Sequence, residues 1–179
     1  MTAALTLPGV EAPDGSAFID GVYRYWLRDV WDDALLTLLY LMLNPSTATG
    51  RRAEHDPTVK KCIRIAKANG YGGIVIVNLF AYRSPYPYDL LRVEDPVGPD
   101  NDRAIAEQVA AARTIVCAWG AWSRGEMGRL VKARAIRVLR IIGERPTCAL
   151  GVTKEGEPMH PLARGKARLA DDVRPRSWP

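Results

Sequence analysis

Cysteine is scarce in this 179-residue chain: Cys62, Cys117 and Cys148 are odd in number and widely spaced, with no pair at metal-ligand spacing. That argues against a disulfide framework and a cysteine-based zinc site, and it fits a reducing compartment. Histidine is rarer still, with only His55 and His160. Long apolar runs are also missing, and no stretch approaches the roughly 20 residues that a membrane span needs. The first residues lack a basic region, an apolar run and a small-residue cleavage site in succession. The expectation is a cytoplasmic protein with no membrane contact, no metal, no cofactor and no obligate protein partner.

What is present is the balance of an ordinary globular chain, with 25% charged and 47% hydrophobic residues. The length fits one domain with a real core. A formal net charge of +5 and a pI near 9.3 favour contact with a polyanion, since cations beside phosphates release condensed counterions. Basic residues recur toward the C-terminus, first from Arg124 to Arg140 and then at Arg164, Lys166, Arg168, Arg174 and Arg176. On a helix such a series also reads as a solvated face.

The first 20 residues, with Pro8, Pro13 and Gly15 among small side chains, read as a lead-in. From Val22 to Trp31 aromatic and charged residues alternate, predicting a half-exposed strand. Leu35 to Leu43 is almost continuously apolar, as in a strand buried on both faces, and it stops at Asn44-Pro45-Ser46-Thr47. Asp56-Pro57 supplies an N-cap and a first-turn proline for a helix from about Pro57 to Asn69, with Gly70 as its stop. Ile74 to Val77 is a second buried strand, closed by Asn78. A helix from about Asn101 to Ala112, a strand from Thr114 to Ala118, a helix from about Glu126 to Ile142 and a segment from Thr147 to Val152 continue the series. Alternation of strand and helix predicts an α/β domain over residues 21–163, with a central, mainly parallel sheet and helices on both sides. Residues 164–179 read as a basic, loosely held tail.

In open α/β sheets ligands bind beyond the carboxyl ends of the strands. Polar residues at those ends are Asn44, Asn78 and the Trp119-Gly120 pair, and a fourth strand leads into the loop carrying His160. Each has a plain structural reading: an amide satisfying a turn, a core tryptophan, a loop histidine. Their order is more telling. Leu43-Asn44-Pro45-Ser46, Ile74-Val75-Ile76-Val77-Asn78-Leu79, Ala118-Trp119-Gly120 and His160-Pro161-Leu162 resemble, in sequence, the motifs of the uracil-DNA glycosylase superfamily. More closely, the segments YRYWLRDVWDDALL, LNPSTA, DPTVKKCIRIAKANGYGG, VNLFAYRS, DPVGPDND and AWGAW are similar to the bacterial and phage family called domain of unknown function 1643, over about residues 22 to 162.

The glycosylase resemblance implies a three-layer αβα fold and DNA as partner. It implies a base-excision reaction in which Asn44 orients the attacking water, His160 stabilises the departing base and Asn78 reads the flipped base, with Trp119 beside it. Ser46 and Thr47 would hold a flanking phosphate, and Arg164 and Lys166 would contact the DNA backbone. The chain departs from the family where glycines flanking Asn-Pro are replaced by Leu43 and Ser46, since glycine lets a nucleotide approach the backbone closely. The second Ser-Pro of the last motif and the acidic residue of the fastest branch are absent as well. Two further readings therefore stand beside the glycosylase: a non-catalytic nucleic-acid or nucleotide-binding module, and a hydrolase acting on modified bases or free nucleosides.

Overall fold

Five of the six residues from Thr37 to Met42 bury their side chains, so this strand must be covered on both faces. In the computed structural model, which describes residues 15–122 and 124–179, it lies near the middle of a seven-stranded sheet. In chain order the strands are β1 (Ser16–Asp20), β2 (Tyr23–Val30), β3 (Thr37–Met42), β4 (Gly73–Asn78), β5 (Thr114–Cys117), β6 (Thr147–Ala149) and β7 (Arg176–Trp178). Across the sheet they run β1-β2-β4-β3-β5-β6-β7. Three α-helices stand among the described residues: α1 (Pro57–Ala68), α2 (Asn101–Ala111) and α3 (Gly125–Ile142).

Side chains alternate along β3, which divides the core in two. Leu38, Tyr40 and Met42 pack with Ile74, Ile76 and Val116 against Val59, Cys62, Ile65 and Ala66 of α1. Leu39 and Leu41 pack with Val75, Val77, Ile115 and Cys117 against Ile105 and Val109 of α2 and Met127, Val131 and Val138 of α3. Each fully buried aliphatic side chain contributes about 1.5–3 kcal/mol. The α1 N-terminus is built as its sequence predicts: Pro57 takes the first position, and the Asp56 carboxylate accepts from the Val59 N–H at 2.9 Å.

The sheet is mixed rather than mainly parallel. β4, β3, β5 and β6 are parallel neighbours, whereas β1, β2 and β7 join antiparallel at the edges. The chain leaves β3 toward α1 on one face and leaves β5 toward α3 on the other. A crevice therefore opens between the ends of β3 and β5, the topological switch point where ligands bind in such sheets.

Both predicted ends of the domain need correction. Ser16–Asp20, expected in the lead-in, forms β1 on the edge of β2; residues 1–14 lie outside the described residues. Residues 164–179 are no loose tail. Asp171 binds Lys61 and Arg64 of α1, the Val173 carbonyl accepts from Asn69, and Trp178 packs edge-on against Trp119 at 5.2 Å. β7 then completes the sheet against β6. The β2 strand is also more buried than its alternating pattern predicts, because the loop after β3 covers its polar side: Arg24 and Asp29 are buried beneath it. Asp29 holds that loop through Arg52 Nε at 2.8 Å. No helix among the described residues is long and apolar enough to cross a membrane.

Candidate functional site

Parallel strands in register bring their ends level. Met42 at the end of β3 pairs with Asn78 at the end of β4, and Leu41 with Cys117 at the end of β5. Asn44, Asn78, Trp119 and His160 consequently line one cleft of about 930 Å³, together with Ser46 and Arg164. Thr47 and Lys166 are outside that lining. Thr47 is exposed and its carbonyl accepts from Arg83, while Lys166 projects from a short 3-10 turn at Gly165–Ala167.

Asn44 is fixed by its own amide. Its Nδ2 group donates to the Pro45 carbonyl at 3.1 Å and to the Ser84 carbonyl at 2.8 Å. Ser84 returns a backbone N–H to the Pro45 carbonyl, so two loops are clamped together. With both N–H donors engaged, the amide cannot be flipped without losing two bonds. Oδ1, which has no donor among the described residues, is left as an acceptor.

Asn78 is 1% exposed. Its Oδ1 accepts from Arg24 Nη2 at 3.3 Å, and because a guanidinium can only donate, the opposite amide orientation would be repulsive. Nδ2 has no acceptor among the described residues and is the donor Asn78 offers to the cleft. The backbone beneath it is held by Asn101, whose amide donates to the carbonyls of Asn78 and Leu79. Arg134 adds a bond from Nε to the Leu79 carbonyl at 2.6 Å.

His160 has a defined tautomer. Its Nδ1 accepts from the Leu162 N–H at 3.1 Å, so the neutral ring carries its proton on Nε2. Burial in the cleft wall lowers its pKa to about 4, only partly opposed by the Asp56 carboxylate. At neutral pH it is an uncharged N–H donor. The loop is seated against Gly120, whose N–H donates to the Pro158 carbonyl at 2.9 Å. Gly120 adopts φ +89°, where a side chain would be strained, and a Cβ there would lie in ordinary contact with the His160 Cβ at 3.4 Å.

Trp119 lines the cleft but is only 2% exposed. Its indole N–H donates to Glu157, which leaves it as a packed wall with no donor for a ligand. The more accessible aromatic of the lining is Trp122, held by an indole bond to the Trp119 carbonyl and set edge-on to Tyr88. Sequence reasoning passes over Trp122, although it belongs to the same AWGAW segment.

Arg24 escapes it too. This side chain is 3% exposed and lines the cleft beside Asn78. Nη1 donates to the Ala48 carbonyl at 3.1 Å. Burial, the largest influence, lowers its pKa to about 10, with Asp56 opposing and Arg83 adding to the shift. In a strand of alternating aromatic and charged residues nothing marks this arginine as buried.

Further cations line the cleft. Lys61 and Arg64 are paired with Asp171, whereas Arg164 and Arg168 line the cleft and are exposed. The basic series on α3 divides differently: Arg134 and Arg137 are both bound to Asp102. Among the described residues no group of three or more His, Cys, Asp or Glu side chains is arranged to hold a metal ion.

The family model described as protein of unknown function (DUF1643) matches residues 24–162, a span that includes Arg24, Asn44, Asn78, Trp119, Trp122 and His160. No curated protein and no solved structure gives a match to this chain. The matched span contains the parallel strands, all three helices and most of the cleft, and on that basis the chain belongs to the DUF1643 family of proteins of unknown function.

Proposed function

We propose that this protein is a DNA base-excision glycosylase, hydrolysing the N-glycosidic bond of uracil or a related modified base on a three-layer αβα scaffold of the uracil-DNA glycosylase-like kind. The observation that carries this reading is the presence, in one cleft at the strand ends, of an oriented amide oxygen on Asn44 and a neutral imidazole N–H on His160.

A base stacked in a duplex is out of reach, so the nucleotide is first extruded into the cleft. Asn78 then binds its edge through the Nδ2 donor and the remaining lone pair of Oδ1. As the bond between the base nitrogen and the sugar's anomeric carbon breaks, its electron pair goes to the base and charge gathers on the ring oxygens. The His160 Nε2–H, aimed at such an oxygen, stabilises that charge. Asn44 Oδ1 accepts a hydrogen bond from the water that attacks the anomeric carbon, and the water's second proton is lost to solvent. The cation already forming on the sugar makes this attack a matter of position, which an amide supplies without a perturbed pKa. Arg164 and Arg168 at the rim, with Lys166 nearby, serve the phosphates.

A second reading, a non-catalytic nucleic-acid or nucleotide-binding module, is favoured by one feature. Leu43 and Ser46 both line the cleft where the resembling family has glycine, so side chains occupy space that a nucleotide backbone would approach. A hydrolase acting on modified bases or free nucleosides would tolerate those side chains as well. Incubating the protein with uracil-containing DNA and with deoxyuridine separates the three. Free base from the DNA supports the glycosylase, free base from the nucleoside alone supports the other hydrolase, and DNA binding without release supports the module.

A further inference from the structure

A guanidinium taken out of water loses several kcal/mol of hydration unless an anion or a full set of acceptors replaces it. Arg24 has neither. It commits one N–H of Nη1 to the Ala48 carbonyl and one of Nη2 to Asn78 Oδ1. Its Nε is buried without a partner, and no carboxylate among the described residues stands within ion-pair distance, since the ion pairs are formed by other arginines and lysines. Two of five donors are therefore used. From beyond ion-pair distance the Asp56 carboxylate offsets part of the charge and the neighbouring Arg83 opposes that relief.

The surroundings show that this is a property of the cleft and not of an ill-packed core. Arg24 lines the cavity in contact with Asn78, whose unpaired Nδ2 offers another donor beside it. Asp56 also lines the cavity, but its carboxylate caps α1 and does not reach the guanidinium. The floor thus presents donors and positive charge, and the natural complement is an oxygen carrying full or partial negative charge.

We infer that Arg24 is the counter-charge for an anionic, oxygen-bearing group of the ligand, seated on the cleft floor against the Arg24 guanidinium and the Asn78 amide N–H. Under the glycosylase reading this group is an oxygen of the departing base, which becomes anionic as the glycosidic bond breaks; Arg24 then shares with His160 the charge of the leaving group, each at a different ring oxygen. Under the binding-module reading it is a phosphate. The anion preference itself depends on neither reading.

The test uses the full chain and three probes: uracil, which is neutral at pH 7.5; barbiturate, a ring of the same shape that is ionised there; and inorganic phosphate. Calorimetric titration of the wild type should show barbiturate binding at least tenfold more tightly than uracil if the group is a base oxygen. Phosphate binding in preference to either ring identifies a phosphate as the source instead. Arg24→Gln should reduce the anion preference to near unity and Arg24→Lys should retain part of it, which separates charge at this position from the exposed arginines of the rim. Should Arg24→Gln fail to fold, a crystal structure of the wild type with barbiturate or phosphate decides: an anion oxygen within hydrogen-bond distance of Arg24 supports the inference, and an anion held only by rim residues overturns it. Equal affinity for uracil and barbiturate with no phosphate binding overturns it too, as does an anion preference that survives in Arg24→Gln. Base release from DNA without anion preference would leave the glycosylase reading standing and remove this one; anion binding at Arg24 without base release would do the reverse.

Discussion

Two arginines are buried among the described residues, Arg24 and Arg134, and only one of them has a carboxylate. Both are held by backbone carbonyls, and each leaves one nitrogen unpartnered: Nε of Arg24 and Nη2 of Arg134. Arg134 joins α3 to the α2 residue Asp102 and to the Leu79 carbonyl, forming a closed brace behind the end of β4. Arg24 joins β2 to the loop after β3 and then faces the cleft with no carboxylate among the described residues within ion-pair distance. The difference teaches that a buried charge with its counter-ion in the fold is structural, whereas one without it points to a ligand that brings the counter-ion.

The largest effect expected is on chemistry at the open end. Removing one donor to a developing oxyanion typically costs about a hundredfold to a thousandfold in rate. His160→Ala should lose that much in single-turnover base release, with DNA affinity nearly unchanged. Asn44→Ala should fall similarly, though part of its loss comes from opening the clamp on Ser84. Matched binding curves separate the two contributions, because a group acting mainly in the transition state moves the rate and not the affinity.

The closed brace should respond in stability instead. Arg134→Ala removes the buried partner of Asp102 and leaves it the exposed Arg137 alone, where breaking a fully buried pair outright costs about 3–5 kcal/mol. With the Asp102 side chain 32% exposed and still paired to Arg137, the expected loss in urea unfolding falls below that range, at about 2 kcal/mol. Arg24→Met removes a charge that has no ion-pair partner but also takes the donor from the Ala48 carbonyl and Asn78 Oδ1, so its cost should be smaller, about 1 kcal/mol. Equal destabilisation by the two substitutions would break the comparison.

Acid provides a subtler contrast. With its folded pKa near 4, below the usual 6.5, His160 is neutral over a wider range than an exposed histidine. The folded state binds fewer protons than the unfolded chain between those values. The histidine's contribution to stability is therefore complete above about 6.5 and is lost as pH falls toward 4. Its role as a neutral donor should persist down to about pH 4, which a titration of its ring protons by NMR would check. An inflection near 6.5 would mean that the ring is solvated and the cleft wide open around it. Smallest of all is the rim: Arg164→Gln should weaken DNA binding uniformly across sequences and reduce the salt slope by about one.

How much of this is legible in the sequence differs between the same two regions. The uninterrupted apolar runs of β3 and β4 and the Asp56-Pro57 start of α1 are strong local signals, and on their own they put Asn44 and Asn78 at strand ends. The closing glycine and histidine follow from order along the chain. Arg24 is invisible because alternation in Tyr23–Val30 signals one solvent face, and the cover on that face is a loop held by non-local bonds from Asp29 to Arg52 and from Arg24 to Ala48. β7 is hidden for a related reason. Three residues between prolines carry no periodicity, and the edge of β6, the ring of Trp119 and the Gly156 carbonyl give them a place. Basic residues on α3 read as a solvated face or a polyanion surface, yet Arg134 is internal because Asp102 lies one helix away.

The most direct measurement is release of free base by the wild type from oligonucleotides bearing uracil, hydroxymethyluracil, hypoxanthine or mismatched thymine, followed by alkaline scission at the abasic site. The proposed glycosylase function, resting on an oriented Asn44 acceptor and a neutral His160 donor, predicts scission in at least one lane and its loss in His160→Ala. Intact strands in every lane, from protein that binds the same oligonucleotides, would contradict catalysis and leave a binding cleft in its place.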